Sequence, residues 1–186
     1  MIPYSYLHET ERKEWQNPEA ILVSVGLQPG FTFMDVGCGD GFFTLPAARI
    51  VGNKGRVYAL DVDEDAIGRL RERASQEDLV NLTLEVGEAE KLILCEGCAD
   101  IVFFGIVLHD FKSAAKVLSN ARKMLKRDGK LVDLDWKKKP MEFGPPLRIR
   151  FSEEEATSLI ETAGFKIEEL WTNEPFHYVI IAKPCP

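Results

Sequence analysis

Apolar positions along the chain fall into short runs separated by mixed, charge-rich stretches. Phe31–Val36, Arg56–Leu60, Leu82–Val86 and Ala99–Phe104 each read as a strand. The last is continuously apolar, as expected of a strand buried on both faces. Between them the apolar period lengthens to that of a helix. Asn17-Pro18-Glu19 opens one, because Asn caps free N–H groups, Pro suits the first helical position and Glu complements the dipole. That helix carries Ala20, Ile21, Leu22 and Val25 and stops near Gly26. Further helices are predicted over Phe42–Ile50, Asp63–Ala74 and Lys112–Leu125. Asp128-Gly129 reads as a turn into a fifth strand, Lys130–Leu134.

The alternation of strands and helices with short connections predicts parallel strands joined by crossover helices. The tail breaks the rhythm. Ser152-Glu153-Glu154-Glu155 is a capping box for a helix ending at Gly164. Phe165–Trp171 and His177–Lys183 then read as two strands too close in sequence for a crossover, hence antiparallel. Lys137–Pro146, rich in Lys, Pro and Gly, reads as a mobile loop.

Composition narrows the class. The 186 residues are 45% hydrophobic, enough for one domain with a core of its own, taken as residues 1–186. A net charge of −7 opposes a phosphate backbone, so no nucleic-acid partner is expected. No run approaches the roughly 18 apolar residues of a membrane span. Met1–Glu9 lacks the basic and apolar regions of a secretion signal. Cys38, Cys95, Cys98 and Cys185 do not read as a disulfide framework, so a cytoplasmic setting is expected.

Open parallel sheets bind ligands beyond the carboxyl ends of their strands, where the strand order reverses. Four strand ends carry candidate chemistry. Asp35-Val36-Gly37-Cys38-Gly39-Asp40-Gly41 is a turn that lets backbone approach a ligand closely. Its spacing is G-x-G-x-G, unlike the G-x-G-x-x-G of dinucleotide sites, and Phe42 stands where the last glycine of that pattern belongs. A carboxylate at Asp35 would repel a pyrophosphate but suits a cation. Asp61, ending the second strand, has the chemistry to accept bonds from both hydroxyls of a ribose. Gly87-Glu88-Ala89 offers a carboxylate to an adenine amino group. Phe104-Gly105-Ile106-Val107-Leu108-His109-Asp110 would line the floor where a second substrate enters.

These segments resemble the class I S-adenosylmethionine (SAM)-dependent methyltransferases. The resemblance is closest to the small-molecule branch that includes the ubiquinone/menaquinone-biosynthesis C-methyltransferases and arsenite methyltransferase. It spans residues 17–183. Asp-Val-Gly-Cys-Gly-Asp-Gly at 35–41 is similar to the family's first motif and Leu60-Asp61 to its second. Gly87-Glu88-Ala89-Glu90 stands for G-D-A-E, with Glu replacing Asp. Cys98–Val102 resembles the F-D-V-V strand, and Lys123–Leu131 the R-x-L-K-P-G-G-x-L segment.

The resemblance implies a Rossmann-like three-layer α/β sandwich with a seven-stranded, mostly parallel sheet ending in the antiparallel hairpin. It implies SAM as cofactor. Asp35, Gly37, Cys38 and Gly39 would meet its methionine part, Asp61 and Val62 its ribose side, and Glu88 and Ala89 its adenine. Phe104 and Gly105 would lie near the sulfonium. A small-molecule acceptor follows. Tyr4, Tyr6 and Trp15, within an N-terminal helical segment 1–28, would form a lid.

Methyl transfer needs alignment and dryness more than a catalytic side chain. Where a proton must leave the nucleophile, His109 is the candidate base, ahead of His8 and His177. Cys95-Glu96-Gly97-Cys98 has no second ligand pair for zinc, and no metal is expected. The N/D-P-P-Y/F signature of base methyltransferases is missing after the fourth strand, where Phe104–Val107 stands. Two rival readings remain: a SAM-binding protein without turnover and a nicotinamide-dependent oxidoreductase.

Overall fold

The structure, a computed structural model, describes residues 12, 16–142, 144–173 and 175–186. Tyr4, Tyr6, His8 and Trp15, named above, lie outside these residues. Seven strands form one sheet in the order β3-β2-β1-β4-β5-β7-β6. They are β1 (Thr32–Val36), β2 (Arg56–Asp61), β3 (Leu82–Val86), β4 (Ala99–Gly105), β5 (Leu125–Trp136), β6 (Phe165–Asn173) and β7 (His177–Pro184). Helices are α1 (Pro18–Ser24), α2 (Thr44–Val51), α3 (Glu64–Gln76), α4 (Ala114–Met124) and α5 (Glu153–Thr162). The first five strands pair in parallel, β7 runs antiparallel to β5, and β6 antiparallel to β7. The chain starts at β1, builds outward to β3, then returns to the other side of β1 at β4. That reversal opens the crevice expected at a switch point.

Local chemistry sets the helix starts. The Asn17 side chain accepts the Ala20 N–H, with Pro18 in the first turn. Asp63 caps α3 by accepting the Ala66 N–H. Ser152 and Glu155 complete the predicted capping box of α5. Alternating side chains divide the core between two faces of the sheet. Met34, Val102, Phe104 and Ile180 pack with Leu118 and Ala121 of α4 and Ile160 of α5. Phe33, Ile101, Phe103 and Val132 pack with Ile21 of α1 and Ala47 of α2. Helix α3 lays Ile67 and Leu70 over Ala59.

Three expectations are corrected. The turn predicted at Asp128-Gly129 lies inside β5, which runs from Leu125 and absorbs the extra residues as an irregularity opposite Ala99–Ile101. Cys95 and Cys98 are joined as a disulfide across a Cα–Cα distance of 6.0 Å. The bridge is reachable because Gly97, in the left-handed region, bends the loop back. The loop is docked on α4 by bonds from the Gly97 and Cys98 N–H groups to the Lys123 and Met124 carbonyls. Finally, Lys137–Pro146 is irregular but tied down: the Arg150 guanidinium donates to the carbonyls of Lys137, Lys139 and Pro145. Among the described residues, no helix is long and apolar enough to cross a membrane.

Candidate cofactor and active site

The site lies at the carboxyl ends of β1, β2, β3 and β4. The bend after β1 is held against β2 by bonds from the Gly37 and Cys38 N–H groups to the Leu60 carbonyl, 2.7 and 3.1 Å. Gly37 has φ +77°, in the left-handed region that only glycine enters freely. Asp61 locks the bend from the side. Its Oδ2 accepts the Gly39 N–H at 2.7 Å and its Oδ1 the Asp63 N–H at 3.0 Å. An ionised carboxylate offers about four lone-pair directions, so acceptor capacity is left on each oxygen.

Beyond this bend opens a cleft of about 500 Å³. Its walls include Gly37, Asp61, Val62, Glu88, Ala89 and Asp110. The Glu88 carboxylate is bonded to Lys91 at 2.7 Å, which lowers its pKa. Ala89 is fixed because its carbonyl accepts from the buried Asn120 amide at 2.9 Å. A smaller cavity of about 170 Å³ shares Gly37 and Val107 with the cleft and is lined by Arg12, Asp35, Cys38, Gly39 and Gly105.

Asp35 is fully buried there and accepts from the Thr44 hydroxyl at 2.6 Å. Burial raises its pKa to about 7; the Thr44 bond and the Arg12 charge oppose that rise, and the Asp61 charge adds to it. Burial also pushes the Cys38 thiol up, with the Asp35 and Asp61 charges adding to the effect, so it stays protonated and inert. The Arg12 guanidinium stacks 3.7 Å over the Phe42 ring and donates to Gln16 Oε1 at 2.6 Å.

Gly37, Asp61, Val62, Glu88 and Ala89 thus share one cleft, while Asp35, Cys38, Gly39 and Gly105 gather in the adjoining cavity. Phe104 lines neither: it is buried among the α4 side chains and meets Phe111 edge-on. His109 is also buried, its Nδ1 2.8 and 2.9 Å from the two carboxylate oxygens of Asp135. His177 is packed against Trp136, and burial drives its pKa down to about 3.

Arg12 escaped the sequence reading, while Val107 and Asp110 belong to the predicted floor segment but their individual places in it were not foreseen. Arg12 sits in a charge-mixed run that resembles any solvated helix. Val107 faces Gly37 because Ile106 before it holds φ +66°, a strained value for a β-branched residue. Its signal was present only as a position after a strand. Asp110 reaches the cleft from a short 3-10 turn, Leu108–Asp110, that periodicity does not reveal.

Residues 27–172, most of the chain, match the family described as a methyltransferase domain. The chain belongs to this methyltransferase family. A crystal structure of a SAM dependent methyltransferase from Aquifex aeolicus is 30% identical, with a TM-score of 0.87 over 92% of this chain and 91% of that one. Demethylmenaquinone methyltransferase of Shouchella clausii is 29% identical over 67% of this chain and 52% of its own length. A probable cobalt-precorrin-6B C(15)-methyltransferase (decarboxylating) of Sulfurisphaera tokodaii is 32% identical over 55% and 52% respectively. The methyltransferase chain therefore spans about half the length of these curated relatives.

Proposed function

We propose that this chain binds SAM in the cleft and transfers its methyl group to a small-molecule acceptor. The observation that carries the reading is the Asp61 carboxylate, which grips the Gly39 N–H while facing a cleft whose volume falls in the range of small-ligand sites. The absence of a side chain at Gly37 lets Val107 pack directly against the bend at the cleft wall, since a carbon there would fall 2.5 Å from Val107 Cγ2. The names of the two curated relatives, both acting on small molecules, support the acceptor class.

In this reading Asp61 takes the ribose hydroxyls, with Val62 beside it, and Glu88 and the Ala89 backbone take the adenine edge. Asp35 faces the cationic end of the methionine part, and Gly37, Cys38 and Gly39 present backbone to it. Arg12, absent from the sequence-based set, suits the methionine carboxylate. Its guanidinium, stacked over the Phe42 ring, borders the smaller cavity beside the glycine bend. Gly105 borders the same cavity. Bound SAM supplies a methyl group on a positively charged sulfur. What the protein adds is alignment and exclusion of water, an effect on the order of 7–11 kcal/mol when orientation is complete.

Calorimetric titration with SAM and with NADH tests the reading. Saturable SAM binding and no NADH binding are expected, followed by transfer of a labelled methyl group to the small-molecule fraction of a cell extract. NADH binding with silent SAM would replace the methyltransferase reading by an oxidoreductase. Binding without any transfer would favour a sensor or partner subunit.

Asp35 makes the binding pH-dependent. Its folded pKa of about 7 lies above the ordinary 3.8 because burial penalises the charge. A cation is held by the ionised form, so SAM affinity is expected to climb between about pH 6 and pH 8 and level off above. In the free protein the sign is opposite. The neutral carboxyl contributes stability that is full below about pH 4 and is lost as pH rises through about 7. Titrations across this range on the wild type and Asp35→Asn check both; a pH-independent wild-type affinity refutes the assignment.

A further inference from the structure

The geometry around the β4 end points to a proton-accepting array at the cleft wall, and so to a class of acceptor. It rests on the methyltransferase reading above. Asp135, near the end of β5, is buried and accepts the Trp136 N–H at 2.7 Å. Its two oxygens stand 2.8 and 2.9 Å from His109 Nδ1. A carboxylate accepts only, so His109 must carry its hydrogen on Nδ1, which leaves Nε2 as the basic nitrogen. Nε2 lies 3.4 Å from Asp110 Oδ1. Two acceptors facing one another at that distance repel, and a proton taken up between them relieves the repulsion, so the unprotonated pair is a ready proton acceptor. Asp110 is 58% exposed at its side chain and lines the cleft beside Val107 and Phe111.

We propose that Asp110 is the group that meets the acceptor, with His109 holding the proton behind it and Asp135 orienting His109. The acceptor is therefore a molecule whose nucleophilic atom arrives carrying a proton, such as a phenol or an enol. As its bond to the methyl carbon forms, the carbon–sulfur bond of the donor breaks and leaves its electron pair on sulfur. The proton of the nucleophile passes to the Asp110 carboxylate and is shared with His109 Nε2. Charge balances: the donor loses its positive charge and the array gains one. A thioether or tertiary amine acceptor would need no such array.

The surroundings support this use. Burial works against a charged His109, but the bond and charge of Asp135, with Asp110, outweigh it and hold its pKa above that of an ordinary histidine. The Arg150 charge opposes that rise. Asp110 is raised in turn by partial burial and by Asp135, while His109 draws it down. His109 is thus a positioning and proton-holding residue rather than the group that touches substrate.

Histidine ring-nitrogen NMR on the full chain tests the array without an acceptor. His109 is expected to show the Nδ1–H tautomer and to titrate at higher pH than an ordinary histidine. Asp110→Asn and Asp135→Asn are each expected to lower the midpoint, and Asp135→Asn to mix the tautomers. A ring that titrates no higher than an ordinary histidine, or whose titration ignores Asp110→Asn, overturns the proposal. Methyl transfer to the extract fraction gives the second readout. Asp110→Asn is expected to lower the rate by about 100-fold or more while SAM still binds. An unchanged rate and pH profile would sink the array alone; loss of SAM binding by the wild type would sink the reading beneath it.

Discussion

Asp61→Ala is expected to weaken SAM binding by about ten- to a hundred-fold, the equivalent of about 1–3 kcal/mol for a half-buried charged acceptor removed from its partners. Two losses combine. The ribose hydroxyls lose their carboxylate, and the Gly39 N–H loses the bond that holds the bend in place. Asp61→Asn separates them. Its amide keeps one oxygen, enough to accept the Gly39 N–H, but puts a donor where the second carboxylate oxygen was. A result in which Asn nearly restores affinity assigns Asp61 to the bend; one in which Asn is as weak as Ala assigns it to the diol. Calorimetry with SAM and its demethylated product reads both. Wild-type affinity in Asp61→Ala would remove the ribose assignment altogether.

How much of this was legible in the sequence follows from the range of each interaction. The glycine bend and Asp61 were readable because each is a local signal, a turn or a strand end, and because parallel strands bring successive strand ends to one edge. The capping box at Ser152 and the terminal hairpin were readable for the same reason: capping and short connections depend only on near neighbours. His109 was visible as a candidate, yet its partner was not. Asp135 is 26 residues away and meets it only through the pairing of β4 with β5. Its neighbour Asp133, fully buried and pushed up in pKa by burial and then by the Asp135 charge, was equally hidden inside an apolar strand. Phe104 lay in the right segment but on the wrong face, since a strand sends alternate side chains to opposite sides. The Cys95–Cys98 bridge depended on a left-handed Gly97, a backbone choice that spacing does not fix.

The cleft itself depends on one missing side chain. Gly37→Ala is expected to destabilise the protein by about 2–5 kcal/mol and to abolish measurable SAM binding. The backbone part is about 1–2 kcal/mol, because Gly37 holds φ +77° and any Cβ is disfavoured there. The remainder is overlap: the new carbon would meet Val107 Cγ2 at 2.5 Å and Cγ1 at 3.0 Å. Val107 has little freedom to withdraw. Rotating its side chain cannot move Val107 Cβ, which would stand 3.1 Å from the new carbon, and the backbone before it is pinned by the Ile106 N–H bond to the Leu134 carbonyl at 2.7 Å. The cost therefore falls on the bend, which must shift away from Leu60 and carry Gly39 off Asp61. Against a typical total of about 5–15 kcal/mol, such a loss moves a urea midpoint plainly. Adding Val107→Ala to Gly37→Ala is expected to return the overlap part of the stability but not the backbone part. Cofactor affinity is expected to recover only as far as the bend re-forms. A Gly37→Ala variant as stable as wild type and binding SAM normally would mean that the bend is not the cradle, and the site would have to be sought elsewhere on the sheet.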